Sequence, residues 1–415
     1  MRTICWRSIA LFTLGMVLGL AGWDLSHRTD EAGRGFLIRA GYPPLVYAPA
    51  TPGAPYVSAA SAVLLEATTG TILYAKNEHV RRAPASTTKI VTALIALERG
   101  DLRSLVTVGP RAGWTPGSSV GLRPGDRLSL GELLQGLMLS SGNDAGVAIA
   151  EHVARSEEEF VRLMNLRARE FGAFNTNFRN PHGLPALGHY TTAFDLALIT
   201  RYALRHPTFA RLVRTREEEL QWAVGERRLP LTNTNRLLWS FAGADGVKTG
   251  TTSEAGHCLV ASATRDGRQL IAVVLRSADR WHDAATLLAY GFEAFRLLRL
   301  AKEGREIARL RVAGGRSPTV ALVPRTDLAV VCPKGQEHLL RLHLSLAREP
   351  IPAPVLPHRV LGRLTVTYDG EEVEGVDLLP REAVRKRSWW PPFAWGDPEK
   401  KAKRSTAGGL VVEKG

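Results

Sequence analysis

The sequence predicts an α/β domain, an antiparallel sheet around a helical middle, followed by a small all-β domain. Three observations carry this. Strand-like runs, "SAVLLE" and "TILYAK" near the start and "GHCLVASATRDGRQLIAVVLRS" near residue 260, bracket a long stretch with helical period. A helical segment, "WHDAATLLAYGFEAFRLLRL", closes this first unit. From about Arg305 the texture changes to strict alternation, in "EIARLRVAGG", "TVALVPRTDLAVVCP", "HLLRLHLSLA" and "GRLTVTYDGEEVEGVDLL". The reading places the α/β domain at 56–300 and the β domain at 301–384.

Taken in order, the chain opens with a basic start (Arg2, Arg7) and an uncharged apolar stretch ending in small residues. It reads as an export leader over 1–21, with an uncleaved anchor as the alternative. Residues 22–55, rich in Gly, Pro and Ala, read as a linker. Two strands follow, joined at Thr69-Gly70. "RRAPASTTKIVTALIALERG" then predicts a helix. Pro84 precedes it, Ile90, Val91, Leu94, Ile95 and Leu97 form its apolar face, and Gly100 stands at its C′ position. Ser129 and Glu132 form a capping box for the next helix. After a break at Ser141-Gly142-Asn143, "DAGVAIAEHVARSEEEFVRLMNLRAREFG" reads as helical, as do segments around Ala193–Leu204 and Phe209–Val213. Hairpin turns are expected at Asp266-Gly267 and Asp369-Gly370.

Composition narrows the function class. The 415 residues carry 54 Lys+Arg against 40 Asp+Glu, a net charge of +14, which suits an anionic partner. An exported chain points that charge to the cell envelope and away from nucleic acid. Beyond Cys5 there are only Cys258 and Cys332, too few for a disulfide framework, and they fall in different predicted domains. "GSSVG" at 117–121 fits a nucleophile-elbow pattern, but loop-like text on both sides makes it a surface loop. His182 and His189 lack metal-ligand spacing, and no phosphate-binding glycine motif occurs.

The chemistry centres on a misplaced charge. Lys89 lies in the first turn of its helix, where the macrodipole disfavours a cation. Ser86, three residues earlier, shares its face. A serine hydroxyl needs a base, and a lysine at a helix start, partly buried beside another cation, loses its proton readily. The pair alone is also compatible with Ser86 as a plain N-cap. "SGN" (Ser141–Asn143) between two helices and "KTG" (Lys248–Gly250) at the strand hairpin complete an ordered trio. S-x-x-K, S-x-N and K-T-G in this order are the signature set of penicillin-recognising serine acyl-transferases.

With "LLEATTGTILYAKNEHVRRAPASTTKIVTALIALE", "LMLSSGNDAGVAIAEHVA", "NPHGLP", "HYTTAFDLALI" and "DGVKTGTTSEAGHCLVASA", the chain resembles the D-alanyl-D-alanine carboxypeptidases over about residues 60–290. These are the low-molecular-weight penicillin-binding proteins of peptidase family S11. The resemblance implies a penicillin-binding-protein/β-lactamase-like transpeptidase fold and a serine carboxypeptidase that trims wall stem peptides, is acylated by β-lactams and needs no metal or organic cofactor. It implies Ser86 as nucleophile, Lys89 as base, Ser141 as proton relay and Lys248 as the source of a positive field. Asn143 would bind the substrate amide, and the N–H groups of Ser86 and Thr251 would form an oxyanion hole. Thr249 and Arg280 would hold the terminal carboxylate, with Arg276 as the rival arginine. A class A β-lactamase lacks support, because "EEEFVRLMN" does not supply its deacylating glutamate stretch. Transpeptidase or endopeptidase action and non-catalytic wall binding remain the alternatives. The tail 385–415, with "WWPPFAW" between cationic clusters, suits the surface of an anionic membrane; packing of its tryptophans on the β domain is the other reading.

Overall fold

The structure is a computed structural model and describes residues 47–48 and 53–387. The leader, most of the segment read as a linker and the tail from residue 388 lie outside the described residues. Among the described residues no helix is long and apolar enough to cross a membrane.

Strands β1 (Ser61–Glu66) and β2 (Ile72–Lys76) form the expected hairpin. A short 3-10 turn (Ala85–Thr88) leads into α1 (Lys89–Arg99). After a small pair, β3 (Leu105–Thr107) with β4 (Arg127–Ser129), come α2 (Leu130–Met138), α3 (Asn143–Ala154), α4 (Glu157–Glu170), α5 (Ala193–Leu204) and α6 (Pro207–Arg214). The pair β5 (Glu217–Gln221) and β6 (Arg228–Thr232) precedes the strands β7 (Ala244–Thr252), β8 (Gly256–Arg265) and β9 (Arg268–Ser277). Helix α7 (Arg280–Ala294) closes the unit.

The main sheet is antiparallel, in the order β2-β1-β9-β8-β7. Its central strands read as unbroken apolar runs because both faces are covered. Val63, Leu65, Ile271 and Val273 pack beneath the helical middle. Ala62, Leu64, Ala272 and Val274 pack against α7. The Asp283 carboxylate on α7 ties this face to the chain before β1. It accepts from the N–H groups of Ser58 and Ala59 and from the hydroxyls of Ser58 and Ser277, all within 2.9 Å. Burial would raise its pKa, but the bonds from Ser277, Ser58 and Ala59 outweigh burial and hold the carboxyl below its ordinary value.

The second body holds β10 (Phe295–Ala301), β11 (Ala308–Ala313), β12 (Thr319–Pro324), β13 (Leu328–Pro333), β14 (Leu340–Leu346), β15 (Ile351–Pro352), β16 (Gly362–Tyr368) and β17 (Glu371–Pro380). A sheet in the order β14-β16-β17-β12-β11-β15 and the pair β10-β13 enclose their own apolar core. Cys258 and Cys332, on β8 and β13, are free buried thiols.

Several expectations need correction. The closing helix stops at Ala294; "FRLLRLA" is strand β10, paired with β13. Its apolar run fits either period, and the β partner decides. The long helix after Asn143 is two. Arg155 takes φ 66°, and Ser156 caps α4 by accepting from the Glu159 N–H (3.1 Å), with three glutamates in the first turn. Gly100 is not left-handed. It is extended at φ −103°, and its missing side chain leaves room for Leu130, whose Cδ2 would lie 2.2 Å from an added Cβ. Within the segment read as a linker, Ala48 donates to the Ile72 carbonyl at 2.8 Å. The capping box on α2 and both Asp-Gly hairpin turns form as expected.

Replacing Asp283 by Ala orphans four donors and removes the tie across α7. Chemical denaturation is expected to show a loss of about 2–3 kcal/mol for this unit. No shift in its midpoint would contradict that role.

Candidate active site

Three chain segments bring their side chains to one point. Ser86 sits inside the 3-10 turn rather than at an N-cap, and Lys89 is the first residue of α1. Asn143 is the first residue of α3. The turn "NPHG", 180–183, approaches from the other side. Its Asn180 side chain accepts from the N–H groups of His182 and Gly183, and the Pro181 carbonyl accepts from the Thr92 hydroxyl on α1 (2.6 Å). Gly183 packs so close that an added Cβ would lie 1.9 Å from the Ala85 carbonyl oxygen, and its φ is +91°. Only glycine satisfies both demands.

The Lys89 side chain is fully buried. Its Nζ lies 2.9 Å from Ser86 Oγ, 2.6 Å from Asn143 Oδ1 and 2.9 Å from the His182 carbonyl oxygen. Asn143 Nδ2 donates to the Pro116 carbonyl at 2.7 Å, which fixes the amide so that Oδ1 faces the lysine. Two of the three neighbours can therefore only accept. A neutral amine has two hydrogens, and both are claimed by Asn143 and His182. Its lone pair is left facing the Ser86 hydroxyl, which then donates.

Electrostatics favour that neutral form. Burial first, and the nearby Lys248 charge second, hold the Lys89 ammonium well below its ordinary value. Asp144 opposes this but is committed elsewhere, to the hydroxyl of Ser119 and the N–H groups of Val120 and Leu122. His182 is pushed down to about 3 by burial and by Lys89, so it adds no charge at neutral pH.

The K-T-G residues lie within β7, the free edge of the sheet. Lys248 is 1 % exposed, and burial followed by Arg280 lowers it to about 7. Gly250 abuts the catalytic turn; a Cβ there would sit 2.9 Å from the Ser86 nitrogen. Arg280 Nη1 donates to the Gly250 carbonyl (3.0 Å) and to the Thr251 hydroxyl (2.8 Å). The rival Arg276 is exposed and lies against Gly256 instead. The Thr249 hydroxyl is 2.8 Å from that of Thr234. Ser141 is held at φ 64° between α2 and α3 and is largely buried; among the described residues no hydrogen bond joins its hydroxyl to Lys89 or Lys248.

Sequence reasoning missed four supports. The His182 carbonyl is a backbone group that no side-chain motif marks. Thr234 is set by Asn235, which donates to the Gly246 carbonyl (2.7 Å), and by Asn233; "NTN" is their only trace. The "GSSVG" loop is no nucleophile elbow, but its Ser118 carbonyl accepts from the Asn143 N–H (2.7 Å) and its Ser119 hydroxyl reaches Asp144. Pro116, just before it, orients Asn143. Among the described residues no cluster suits a metal ion.

A buried amine facing a serine hydroxyl can deprotonate it for attack on a carbonyl carbon. Lys89→Met is expected to slow acylation of Ser86 by a β-lactam by about 10²–10⁴-fold, read by mass spectrometry over time. Because the ammonium form is depressed, the wild-type rate should rise with pH and level off well below 10.5. A limb centred on the ordinary lysine value would contradict the burial argument.

The chain resembles known proteins over most of its length. Residues 48–279 match the D-alanyl-D-alanine carboxypeptidase family, and residues 295–386 match the C-terminal domain of penicillin-binding protein 5. The chain is 35% identical over 337 residues to the D-alanyl-D-alanine carboxypeptidase DacF of Bacillus subtilis (strain 168), covering 79% of this chain and 86% of that one. It is 35% identical over 350 residues to DacA of Escherichia coli (strain K12), covering 80% and 85%. The crystal structure of penicillin-binding protein 5 from Haemophilus influenzae superposes with a TM-score of 0.72 at 32% identity, covering 81% of this chain and all of that one. The buried lysine, the S-x-N turn and the K-T-G edge strand thus stand in a known frame: the chain belongs to the D-alanyl-D-alanine carboxypeptidase family of serine peptidases.

Proposed function

We propose that this carboxypeptidase removes the terminal D-alanine of peptidoglycan stem pentapeptides through an acyl-enzyme on Ser86. The observation that carries the reading is the buried Lys89 Nζ, 2.9 Å from Ser86 Oγ and held by two groups that only accept, Asn143 Oδ1 and the His182 carbonyl. Lys89 takes the hydroxyl proton as Oγ attacks the carbonyl of the penultimate D-alanine. The N–H groups of Ser86 and Thr251 receive the oxyanion. The C–N bond then breaks, and the proton passes through Ser141 to the leaving amine. Water attacks the ester, Oγ recovers a proton, and the shortened peptide leaves. Asn143 keeps one Nδ2 hydrogen for the substrate amide carbonyl. Thr249 and Arg280 take the terminal carboxylate, and Lys248 supplies positive field beside them.

β-Lactams, which place a strained amide carbonyl on the same path, acylate Ser86 and inhibit. The cycle balances with protein groups and water, so it calls for no cofactor. The chain is exported and works at the outer face of the cytoplasmic membrane, with its basic, Trp-rich tail on anionic lipid. The charge excess belongs to envelope polyanions, not to nucleic acid.

Incubation of a wall pentapeptide with the protein and with Ser86→Ala is expected to release one D-alanine from the wild type only, read by mass spectrometry. Joined peptides would mean transpeptidation instead. No change, with no β-lactam adduct on folded protein, would mean a non-catalytic binder. Deletion of 388–415 is expected to abolish sedimentation with anionic liposomes; unchanged binding would refute the tail's role.

A further inference from the structure

Two grooves lie close to the Ser86 turn, one beside Thr249–Thr251 of β7 and one just beyond the end of that strand at Thr252. One groove, of ≈ 630 Å³, is lined by Thr234, Arg236, Trp239, Arg280 and Trp281. It holds the arginine and, through Thr234, the Thr249 hydroxyl assigned to the terminal carboxylate. The leaving D-alanine therefore points that way. The rest of the stem must run in the other direction along β7, past Thr252, in the manner of a peptide adding to a free sheet edge.

There it meets the second groove, of ≈ 560 Å³, lined among others by Arg81, Pro185, Leu187, Tyr190 and Glu254. Its walls continue directly from the catalytic turn. Arg81 is five residues before Ser86, and Pro185 follows the turn whose His182 carbonyl holds Lys89. The distance fits as well. Glu254 stands in the turn that joins β7 to β8, four positions past Gly250, which abuts Ser86, and so lies at most about 13 Å from it. Two extended peptide residues plus a four-carbon side chain reach about as far.

The charges of this groove are unusual. The Arg81 guanidinium is fixed over the Tyr190 ring, 4.6 Å from its centroid, and donates to Asn175 Oδ1 at 3.1 Å. No carboxylate pairs with it among the described residues. Glu254 is exposed and likewise has no cationic partner among them. The two line one groove yet form no salt bridge with each other. Arg82 also lines it, but its head is turned away onto Ser61 Oγ (2.6 Å) and the Ala60 carbonyl (3.2 Å). His189 on the same wall is held down to about 4 by burial and Arg179, so it is neutral. The groove thus offers one placed cation and one free anion, separated by enough room for a ligand group.

We propose that this groove is the subsite for the third stem residue and selects a side chain that ends in both an ammonium and a carboxylate on one carbon. Arg81 takes the carboxylate and Glu254 the ammonium. Diaminopimelate has this terminus. Lysine offers only the ammonium and leaves Arg81 unanswered. The inference rests on the carboxypeptidase reading above and assigns its substrate class.

The test measures D-alanine release, as kcat/KM, by the full chain from two pentapeptides that differ only in the third residue, meso-diaminopimelate or lysine. The wild type is expected to prefer the diaminopimelyl peptide by about fivefold to tenfold, the yield of one partly exposed charge-assisted pair. Arg81→Gln is expected to bring that ratio to about one, whereas Arg81→Lys, which keeps the cation, retains most of it. Glu254→Gln should lower both rates and leave the ratio. Amidation of the side-chain carboxylate should make the diaminopimelyl peptide behave like the lysyl one. Equal wild-type turnover of the two peptides, or a ratio unmoved by Arg81→Gln, would overturn the subsite while leaving the carboxypeptidase intact. Turnover of neither would overturn the carboxypeptidase reading and the subsite together.

Discussion

A lysine amine buried away from solvent is the constraint on which the rest depends. Removing an ammonium from solvent is costly unless it is neutralised or fully bonded. The protein meets that cost with two acceptor-only oxygens, Asn143 Oδ1 and the His182 carbonyl, and leaves Ser86 as the third contact. Each acceptor is itself fixed. Pro116 and Ser118 hold Asn143 from the loop before α2. Asn180, Thr92 and the close approach of Gly183 to Ala85 hold the His182 turn. Moving any of these segments would strand a polar group in the core.

The sheet supplies the other half of the site. Apolar side chains alternate to both faces of β1, β8 and β9, so these strands are locked between the helical middle and α7. Edge strand β7 is held on one side by β8 and left unpaired on the other. Gly250 lets that edge touch the Ser86 turn without a side chain between them. A rigid strand with free backbone groups beside an activated hydroxyl is a template for an extended peptide. Two further cations stand beside it: Lys248 helps to depress Lys89, and Arg280 in turn lowers Lys248.

Much of this was legible in the residues. The ordered motif text named Ser86, Lys89 and Asn143, which meet through the lysine amine, and the capping box at Ser129 and the Asp-Gly turns marked elements correctly. The misses share a cause. "FRLLRLA" fits two periods, and pairing with β13 settles it as a strand. Gly100 looked like a left-handed stop, but its smallness serves Leu130. Arg280 was set before Arg276, but the bulge and helix start that aim the two apart arise only in the folded chain.

By itself, then, the sequence determined which chemistry the protein carries and the class of most of its elements, because motif spacing, caps and turns act within a few residues. Only the tertiary structure decided which acceptors claim the Lys89 hydrogens, which arginine faces β7, and that Arg81 and Glu254 share one groove unbridged. Those are contacts between segments tens of residues apart. Backbone carbonyls, burial and the direction of a guanidinium have no sequence signature, since every residue has a carbonyl and desolvation exists only once the chain has closed around it.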